Sequence, residues 1–302
     1  MTDLAESFEE NRGRLRAVAY RMLGSIAEAD DAVQEAWLRL NRSDANEIDN
    51  LSAWLTTVVA RVCLNVLRSR RTHGEDLVGV HIPDPVVGRA DGPTPEAEAL
   101  LADSVGLALQ VVLETLTPAE RLAFVLHDMF DLPFDEIAPM VGRTPATARQ
   151  LASRARRRVR GAEVPDPDLT RQRAVVTAFF AAAHDGDFEA LVSVLHPDVV
   201  LRADGGTARP ENTGVVRGAA QVAGQAIMFS RPAVVRHPAT VNGAAGAVVT
   251  VSGQPYAVMA FTVTEDKIVS IDILADPERV GRLDLAGFAG GDVQGLSAPD
   301  SH

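Results

Sequence analysis

Two proline-rich breaks limit how this 302-residue chain can divide into domains. The first, "HIPDPVVGRADGPTP" (81–95), contains four prolines, and the second, "GAEVPDPDL" (161–169), contains two. Neither stretch sustains a helix, because proline lacks the backbone N–H that a helix interior needs. Apolar residues follow helical spacing before the second break, whereas short β-rich segments appear after it. The sequence therefore predicts a multidomain protein, with all-α domains first and an α+β domain after them.

The composition points to a soluble protein without disulfides. Acidic residues outnumber basic ones by 41 to 29, and 46% of the residues are hydrophobic. Cys63 is the single cysteine, so no internal disulfide can form, which is typical of a reducing cytoplasm. The start "MTDLAESFEE" lacks the features of a signal peptide, and no apolar run reaches the ~18 residues that span a bilayer. We therefore expect a cytoplasmic protein with no membrane partner. The lack of metal-ligand spacing predicts no metal and no cofactor.

Positive charge is concentrated in the stretch "TPATARQLASRARRRVRG" (144–161). It holds six arginines and no acidic residue, although the whole chain has a formal net charge of −12. Thr144 suits a helix N-cap and Pro145 suits the first turn, so the stretch predicts a helix. At about 100° per residue, its apolar side chains gather on one side and most arginines on the other. The predicted apolar side consists of Ala148, Leu151, Ala155 and Val159.

A short predicted helix, "FDEIAPMV" (134–141), and a "GR" turn precede the arginine-rich helix. Two helices joined by a short glycine-containing turn, the second basic on its outer side, are typical of a DNA-binding helix-turn-helix. The first part of the second helix then meets base edges, for which Arg149 and Gln150 carry suitable side chains. Later arginines, such as Arg157, supply phosphate contacts. On charge alone, a solvated surface helix, an RNA-binding helix and a helix that binds an acidic protein remain alternatives.

Two helices predicted nearer the N-terminus carry opposite charges. The segment "SAWLTTVVARVCLNVLRSRR" (52–71) has no acidic residue and places Arg61, Asn65 and Arg68 on one stripe. The preceding segment, "AEADDAVQEAWLRL" (27–40), is acidic at its start. Neighbouring basic and acidic surfaces indicate two different partners, DNA and a basic protein.

Together these segments resemble a known family. Residues 27–40 and 52–71 are similar to region 2 of bacterial extracytoplasmic-function sigma factors, which belong to the sigma-70 family, and residues 116–161 are similar to their region 4. The two similarities occur in the order that the family has, with a linker between them. The resemblance implies a transcription initiation factor without catalytic activity of its own.

Three short motifs resemble those of the sigma J-like subgroup, whose members carry a fused C-terminal SnoaL-like domain, an α+β cone of the NTF2-like fold. The motifs are "HIPDP" (81–85), "DGG" (204–206) and "DPERV" (276–280). His-Ile stands where the subgroup has Trp-Leu, and Asp276 stands where it has Asn. The resemblance implies a region 2 domain (1–72), a linker (73–95), a region 4 helix-turn-helix domain (96–161), a second linker (162–169), an NTF2-like domain (170–286) and a disordered tail (287–302).

The resemblance also implies where the partners bind. The acidic helix docks on the clamp helices of the β′ subunit of core RNA polymerase, and the β subunit is a further contact. The third helix and the loop before it capture the −10 element, and region 4 reads the −35 element. The implied polymerase-binding residues are Asp31, Gln34, Glu35 and Trp37, of which Trp37 also fits a core position. The implied −10 residues are Asn46, Asp49, Asn50, Arg61, Asn65 and Arg68. The implied −35 residues are Arg149, Gln150, Ser153, Arg154, Arg156 and Arg157.

For the C-terminal domain, the resemblance implies regulation of regions 2 and 4 through contacts between domains. The implied residues are Pro83, Asp84, Pro85, Asp204, Gly205, Gly206, Asp276, Pro277, Glu278 and Arg279. An unknown small ligand in the cone is compatible with such a domain, but no residue of the sequence supports one.

Two alternatives compete with the sigma-factor interpretation. One is a DNA-binding transcriptional regulator that does not act through core polymerase, but such a protein has no use for the acidic helix. The other is an isomerase- or cyclase-type enzyme, with acid–base candidates His184, His196, Asp198 and Asp204. Helix ends and turns are sufficient reasons for these residues, so the sequence predicts no catalytic site.

Overall fold

The computed structural model describes residues 2–43, 48–72, 80–90, 106–160, 166–230 and 234–288. The chain divides into two units, the first comprising Met1–Val86 and Thr94–Val164 and the second comprising Val87–Pro93 and Pro165–His302. Part of the predicted linker between the two helical domains therefore belongs to the second unit.

The described part of the first unit is almost wholly helical, as the apolar spacing predicts. Its helices are α1 (Thr2–Leu23), α2 (Ile26–Leu40), α3 (Leu51–Thr72), α4 (Leu107–Glu114), α5 (Pro118–Phe124), α6 (Phe134–Val141) and α7 (Pro145–Val159). One π-helical turn, Val125–Met129, continues α5. Helix α4 begins at Leu107, after the non-helical Gly106, and residues 91–105 lie outside the described residues.

Local capping explains where these helices begin and end. Gly24, in the left-handed conformation at φ +70°, follows the end of α1. The Ser25 side chain then accepts a hydrogen bond from the Glu28 N–H and caps α2. At the start of α5, Thr117 and Glu120 form a capping box, in which each side chain bonds the other residue's backbone N–H.

One hydrophobic core unites the described helices of the first unit, where the sequence predicts two separate domains. Leu23, Leu40 and Leu55 from α1–α3 belong to the same cluster as Leu113 and Leu122 from α4 and α5. Periodicity identifies the apolar face of each helix but does not tell which faces meet. By length and hydropathy, α3 is the one described helix that also fits a membrane span, yet it packs here against α1 and α2.

The described part of the second unit combines helices with one sheet, which confirms the predicted α+β architecture. The described helices are α8 (Leu169–Asp185), α9 (Phe188–Val194), α10 (Ala219–Met228) and α11 (Pro277–Arg282). The described strands are β1 (Val87–Arg89), β2 (Leu195–Asp204), β3 (Gly214–Arg217), β4 (Val234–Val241), β5 (Ala244–Val251), β6 (Gln254–Thr264) and β7 (Lys267–Leu274). Helices α8–α10 pack on one face of the sheet, around a core that includes Phe179, Leu191, Val222 and Phe261.

The strand order is β1-β4-β5-β6-β7-β2-β3. Hairpins connect β4 to β7, so these strands are antiparallel. The sheet is not antiparallel throughout, because β2 pairs with β7 in parallel. No hairpin joins these two strands, so turn geometry does not fix their relative direction.

Two short edge strands, β1 and β3, were not predicted. With three and four residues, respectively, they are too short for an alternating pattern. A disordered tail is predicted from Gly287, but Ala286–Phe288 forms a 3₁₀ turn. The remainder, 289–302, lies outside the described residues.

Candidate nucleic-acid and polymerase interfaces

The predicted helix-turn-helix is present as α6, a short turn and α7. Gly142 adopts the left-handed conformation (φ +66°), and its N–H bonds back to the last turn of α6. The Thr144 side chain accepts a hydrogen bond of 3.3 Å from the Thr147 N–H, and Pro145 occupies the first turn. These two caps end one helix and start the next within three residues.

Small side chains bury one side of α7. Ala148, Ala152 and Ala155 are completely buried, whereas Leu151 and Val159 are only half-buried. The prediction of the buried side is thus correct for Ala148 and Ala155. It overstates the burial of Leu151 and Val159, and it omits Ala152. Alanines let α7 approach α5 and α6 closely, which fixes the direction of its opposite face.

The opposite face of α7 is exposed along its length. It presents Arg149, Gln150, Ser153, Arg154 and Arg157. The guanidinium carbon of Arg149 lies 5.2 Å from the centroid of the Phe134 ring. This cation–π contact joins the first residue of α6 to the first half of α7 and restricts the Arg149 side chain.

Two of the six arginines are engaged in ion pairs inside the unit. Arg156 donates to Asp128 at 2.5 Å, and Arg158 donates to Glu120 at 2.8 Å. Burial alone would raise the pKa of Glu120, but hydrogen bonds from Thr117 and the Arg158 guanidinium lower that pKa below its ordinary value. Arg156, predicted as a DNA contact, is therefore already neutralised by a carboxylate.

The basic stripe predicted on α3 is exposed at all three positions, Arg61, Asn65 and Arg68. The neighbouring Arg70 points elsewhere, since it donates to the Leu23 carbonyl and pairs with Glu28.

In the loop before α3, the predicted −10 residues have different environments. Asn50 accepts a hydrogen bond of 3.0 Å from the Ala53 N–H and so caps α3, while Asp49 is exposed. Asn46 lies outside the described residues.

Helix α2 presents an exposed stripe with spacing i, i+3, i+4 and i+7. The stripe consists of the exposed Asp31, Gln34 and Leu38 and the half-buried Glu35, which also pairs with Arg39. Leu38 is 40% exposed and was missed, because it has the apolar character expected of a core residue. Trp37 packs instead against Phe8, with ring centroids 4.8 Å apart, as the core interpretation of that residue predicts.

Comparison with known proteins decides the family. The Sigma-70 region 2 family matches residues 7–73, and the Sigma-70, region 4 family matches residues 106–159. The chain is 39% identical over 293 residues to the ECF RNA polymerase sigma factor SigJ of Mycobacterium tuberculosis. The aligned part covers 90% of this chain and 91% of that protein. This chain belongs to the extracytoplasmic-function sigma factors.

Two further similarities extend through the second unit of this sigma factor. A protein described as "Probable ECF RNA polymerase sigma factor SigI", also from Mycobacterium tuberculosis, is 35% identical over 292 residues, 94% of this chain and 98% of that protein. The crystal structure of Mycobacterium tuberculosis SigJ aligns with a TM-score of 0.73 at 37% identity, covering 93% of this chain and 99% of that one. Helices α1–α3 thus form region 2, and α4–α7 form region 4.

The C-terminal end of α1 joins region 2 to region 4 and to the linker. Carbonyls in the last turn of a helix have no partner within the helix. Donors from three other parts of the chain bind these carbonyls here. From region 4, Gln110 donates to the Tyr20 and Arg21 carbonyls (3.1 and 3.3 Å), and Arg121 donates to the Arg21 carbonyl (2.9 Å). Arg70 of α3 donates to the Leu23 carbonyl (3.3 Å), and the Asp84 N–H of the linker donates to the Gly24 carbonyl (2.8 Å). We call this set of carbonyls and donors the α1 hub.

The region 4 side of the α1 hub is deeply buried. Arg121 is 1% exposed and pairs with Glu114 at 3.0 Å, and Gln110 is also 1% exposed. A cleft of about 420 Å³ beside the hub is lined by the α3 residues Arg68, Arg71 and Thr72 and by the start of α5, Thr117–Ala119. Region 4 therefore lies directly against the end of the basic α3 helix.

The "HIPDP" motif binds region 2. Pro83 and Pro85 are buried, and Asp84 accepts hydrogen bonds from the Tyr20 hydroxyl (2.6 Å) and the Ile26 N–H (3.0 Å). The motif thereby fixes the turn between α1 and α2.

Three residues after Asp84, the linker becomes part of the second unit. Strand β1 pairs antiparallel with the edge of β4, where Gly88 lies opposite Thr240. Next to this pairing, Arg173 donates to the Ala90 carbonyl at 2.5 Å. A cavity of about 220 Å³ there is lined by Arg89, Ala90, His237, Pro238, Gly287 and Phe288.

The structure brings the "DGG" and "DPERV" motifs together. Arg279 donates to Asp204 at 2.9 Å, and Asp276 caps α11 by accepting from the Glu278 and Arg279 N–H groups. Gly206 is at φ +60°, and a Cβ there would collide with the Asp276 carboxylate. Gly205 is equally confined, by the Arg209 backbone, whereas Pro277 and Glu278 are exposed.

The acid–base candidates do not form a shared site. His184 and Asp198 are exposed, and His196 accepts a turn hydrogen bond from the Asp198 N–H at 3.1 Å. Asp204 is held by Arg279. The described residues hold no group of three or more potential metal ligands.

Proposed function

We propose that this sigma factor binds core RNA polymerase through α2 and reads promoter DNA through α3 and α7. The observation that carries the proposal is the exposed first half of α7, where Arg149, Gln150 and Ser153 face solvent. The N-terminal residues of a recognition helix contact base edges in the major groove. We assign base readout at the −35 element to Arg149 and Gln150 and phosphate contacts to Arg154 and Arg157.

In this proposal, α3 melts the promoter at the −10 element. Arg61 and Arg68 are exposed cations on one stripe, suited to phosphate, and Asn65 between them has both donors and acceptors. The Asn50 side-chain oxygen is occupied by the cap of α3, which leaves its amide nitrogen for a base. Asp49 is exposed beside it.

Polymerase binding uses the α2 stripe. Asp31, Gln34 and Glu35 surround Leu38, so a polar and acidic rim encloses one exposed apolar side chain. This composition fits a basic partner surface with an apolar centre, and we assign that surface to the β′ clamp helices. Other contacts, including the β subunit, complete the complex, and a factor that acts on polymerase and promoter works in the cytoplasm.

The α1 hub supports a closed resting state. Elements named for positions −10 and −35 lie about 25 base pairs apart, or about 85 Å at 3.4 Å per base pair. Regions 2 and 4 share one core here and are joined by hydrogen bonds near 3 Å, so they cannot reach both elements at once in this arrangement. Initiation requires that region 4 leave the α1 hub.

The C-terminal domain regulates that opening through the linker. Its sheet holds β1, which lies between regions 2 and 4 in the chain, and the pair Asp204–Arg279 keeps α11 in place on the same domain. We give the domain no catalytic role, because its acid–base candidates are dispersed.

Transcription with purified core polymerase and fragmented genomic DNA tests these assignments, with 5′ ends mapped by sequencing. Core polymerase with the full chain should start at defined promoters, and a chain that ends at Ala162 should do so with altered yield. If neither chain directs initiation above core polymerase alone, the sigma function is refuted. If a chain that ends at Ala275 matches the full chain in yield, the regulatory role of α11 is refuted instead.

A second measurement addresses the closed state. Gln110→Met keeps the side-chain volume but removes both hydrogen bonds to α1. We expect it to raise transcription at limiting core polymerase and to increase the radius of gyration of the free protein. A variant with unchanged activity and unchanged scattering would show that the α1 hub does not restrain region 4.

A further inference from the structure

One arginine of the C-terminal domain lies half-buried without a carboxylate. Arg236 is on β4, its guanidinium carbon is 5.6 Å from the centroid of the Phe180 ring on α8, and it makes one long hydrogen bond (3.5 Å) to the Phe229 carbonyl. Within the described part of the chain, no acidic group lies within ion-pair distance of it. The pKa of Arg236 is lowered by burial alone.

Two other half-buried arginines also lack a carboxylate in the described part of the domain, but each has shorter hydrogen bonds: Arg209 donates to the Tyr256 and Ala275 carbonyls at 3.1 and 2.8 Å, and Arg173 donates to the Ala90 carbonyl at 2.5 Å. Arg202 pairs with Asp272, and Arg279 pairs with Asp204, each within 3 Å. A cation removed from water is stabilised by a partner of opposite charge, and those two arginines have one. Among the described residues Arg236 has neither a carboxylate nor a short hydrogen bond, so an anion from outside the chain would stabilise it.

The surroundings of Arg236 are apolar. Arg236 lies opposite Val249 of β5, and Val249 lies opposite Ala257 of β6. The side chains of all three residues therefore lie on the same face of the sheet. Val249 and Ala257 belong to a small cluster separate from the main core of the domain, with Val234 and Tyr256 at its side. Next to it, at the end of α10, Met228 is 59% exposed and Phe229 is 52% exposed.

A second polar group at this place lacks a partner. The Ser230 hydroxyl, directly after Phe229, is buried and makes no hydrogen bond. A buried hydroxyl without a partner costs free energy that a bound acceptor would recover. The cation and the hydroxyl therefore both favour an anionic oxygen.

We propose that the surface formed by Phe180, Phe229, Ser230, Arg236 and Val249 binds a small amphipathic carboxylate. The carboxylate pairs with the Arg236 guanidinium and accepts a hydrogen bond from Ser230. The apolar ring or chain of the ligand lies over Val249, against Phe180 and Phe229. The site is independent of the promoter function, since it needs neither polymerase nor DNA.

Calorimetric titration of the full chain tests the proposal with 2-naphthoate as the probe and 2-naphthamide as its uncharged counterpart. Naphthoate should bind, and naphthamide should bind at least tenfold more weakly. Arg236→Gln should weaken naphthoate binding about tenfold or more, because it removes a charge-assisted contact. Arg217→Gln, which removes an exposed arginine from β3 of the same domain, should leave binding unchanged.

Further variants separate binding from folding. Arg236→Lys retains the charge and should bind naphthoate with an intermediate affinity, and Ser230→Ala should weaken binding without changing the circular dichroism spectrum. The proposal is overturned if naphthoate does not bind at millimolar concentration, if naphthoate and naphthamide bind alike, or if a folded Arg236→Gln or Arg236→Lys variant binds no differently from the wild type.

Discussion

Arg279 donates to Asp204 across 2.9 Å, although 75 residues separate the two in the chain. The pair joins the start of α11 to the end of β2, and both side chains are largely buried, at 17% and 7% exposure. The two motifs that carry these residues therefore act as one structural element.

We expect Asp204→Asn to destabilise the C-terminal unit by about 2–4 kcal/mol, because it leaves Arg279 without its carboxylate. Trp37 and Trp54 both lie in the first unit, so tryptophan fluorescence reports the unfolding of regions 2 and 4, and circular dichroism also follows the sheet. The urea midpoint of the sheet should fall while the fluorescence midpoint stays. Glu278→Gln, at an exposed position of α11, serves as the control, and an equal shift for both variants would contradict the assigned role.

The arginines of α7 should divide into three classes. Arg149→Ala should cost about 1–3 kcal/mol on the promoter and little on random DNA, because a base contact is lost. Arg157→Ala should weaken binding on all sequences and reduce the slope of log affinity against log salt by about 1. Arg156→Ala should change neither quantity appreciably, since Asp128 already neutralises Arg156.

Fluorescence anisotropy of the sigma–polymerase complex on promoter and random duplexes, at several salt concentrations, measures all three classes. Equal losses for Arg149→Ala and Arg157→Ala on both duplexes would remove the distinction between base and phosphate contacts. A large salt-dependent loss for Arg156→Ala would show that its pair with Asp128 opens on DNA.

Leu38 should contribute to the affinity for core polymerase, although an apolar residue on a helix is usually assigned to the core. Leu38→Ala removes the apolar centre of the α2 stripe and should weaken binding to core polymerase roughly tenfold. Val215→Ala is the matched control, because Val215 is similarly exposed (45%) but lies on β3 of the other unit. Competition binding with labelled sigma factor measures both variants, and equal effects would exclude a specific role for Leu38.

The sequence predicts the helices around the helix-turn-helix and the α+β nature of the second unit well, because each has a strong local pattern. The helix-turn-helix follows from Thr144, Pro145 and the left-handed Gly142, all of which act within a few residues. What it misses depends on contacts distant in sequence. Neither the Arg156–Asp128 pair nor the burial of Arg121 under α1 has a local signal, and periodicity assigned Leu38 no function.

Glu120 should give region 4 a pH-dependent stability. Its pKa is lowered in the folded state, so its contribution is complete above the ordinary glutamate pKa of about 4.3 and is lost as the pH falls through the lower folded value. Glu120→Gln should therefore lower the free energy of unfolding by about 1–2 kcal/mol at neutral pH and by less in acid. Urea unfolding followed by tryptophan fluorescence from neutral pH to about pH 3 measures this difference. Glu136→Gln, at an exposed position of α6, should show no such trend, and a difference for Glu120→Gln that is constant with pH would contradict the assignment.

A reversible cross-link can test whether the linker must leave the sheet during initiation. Strand β1 has three residues and pairs only at the edge of β4, so its pairing is weak enough to open. Opposite positions in antiparallel strands are within disulfide range, and Gly88→Cys with Thr240→Cys would place two thiols there. The native Cys63 is buried and its pKa is raised to about 12, chiefly by burial, so it does not compete for oxidation.

The oxidised double variant should lose promoter-specific transcription, and reduction should restore it, whereas Gly88→Cys alone should be active in both states. Full activity of the cross-linked protein would show that the linker stays on β4 when regions 2 and 4 bind polymerase and promoter.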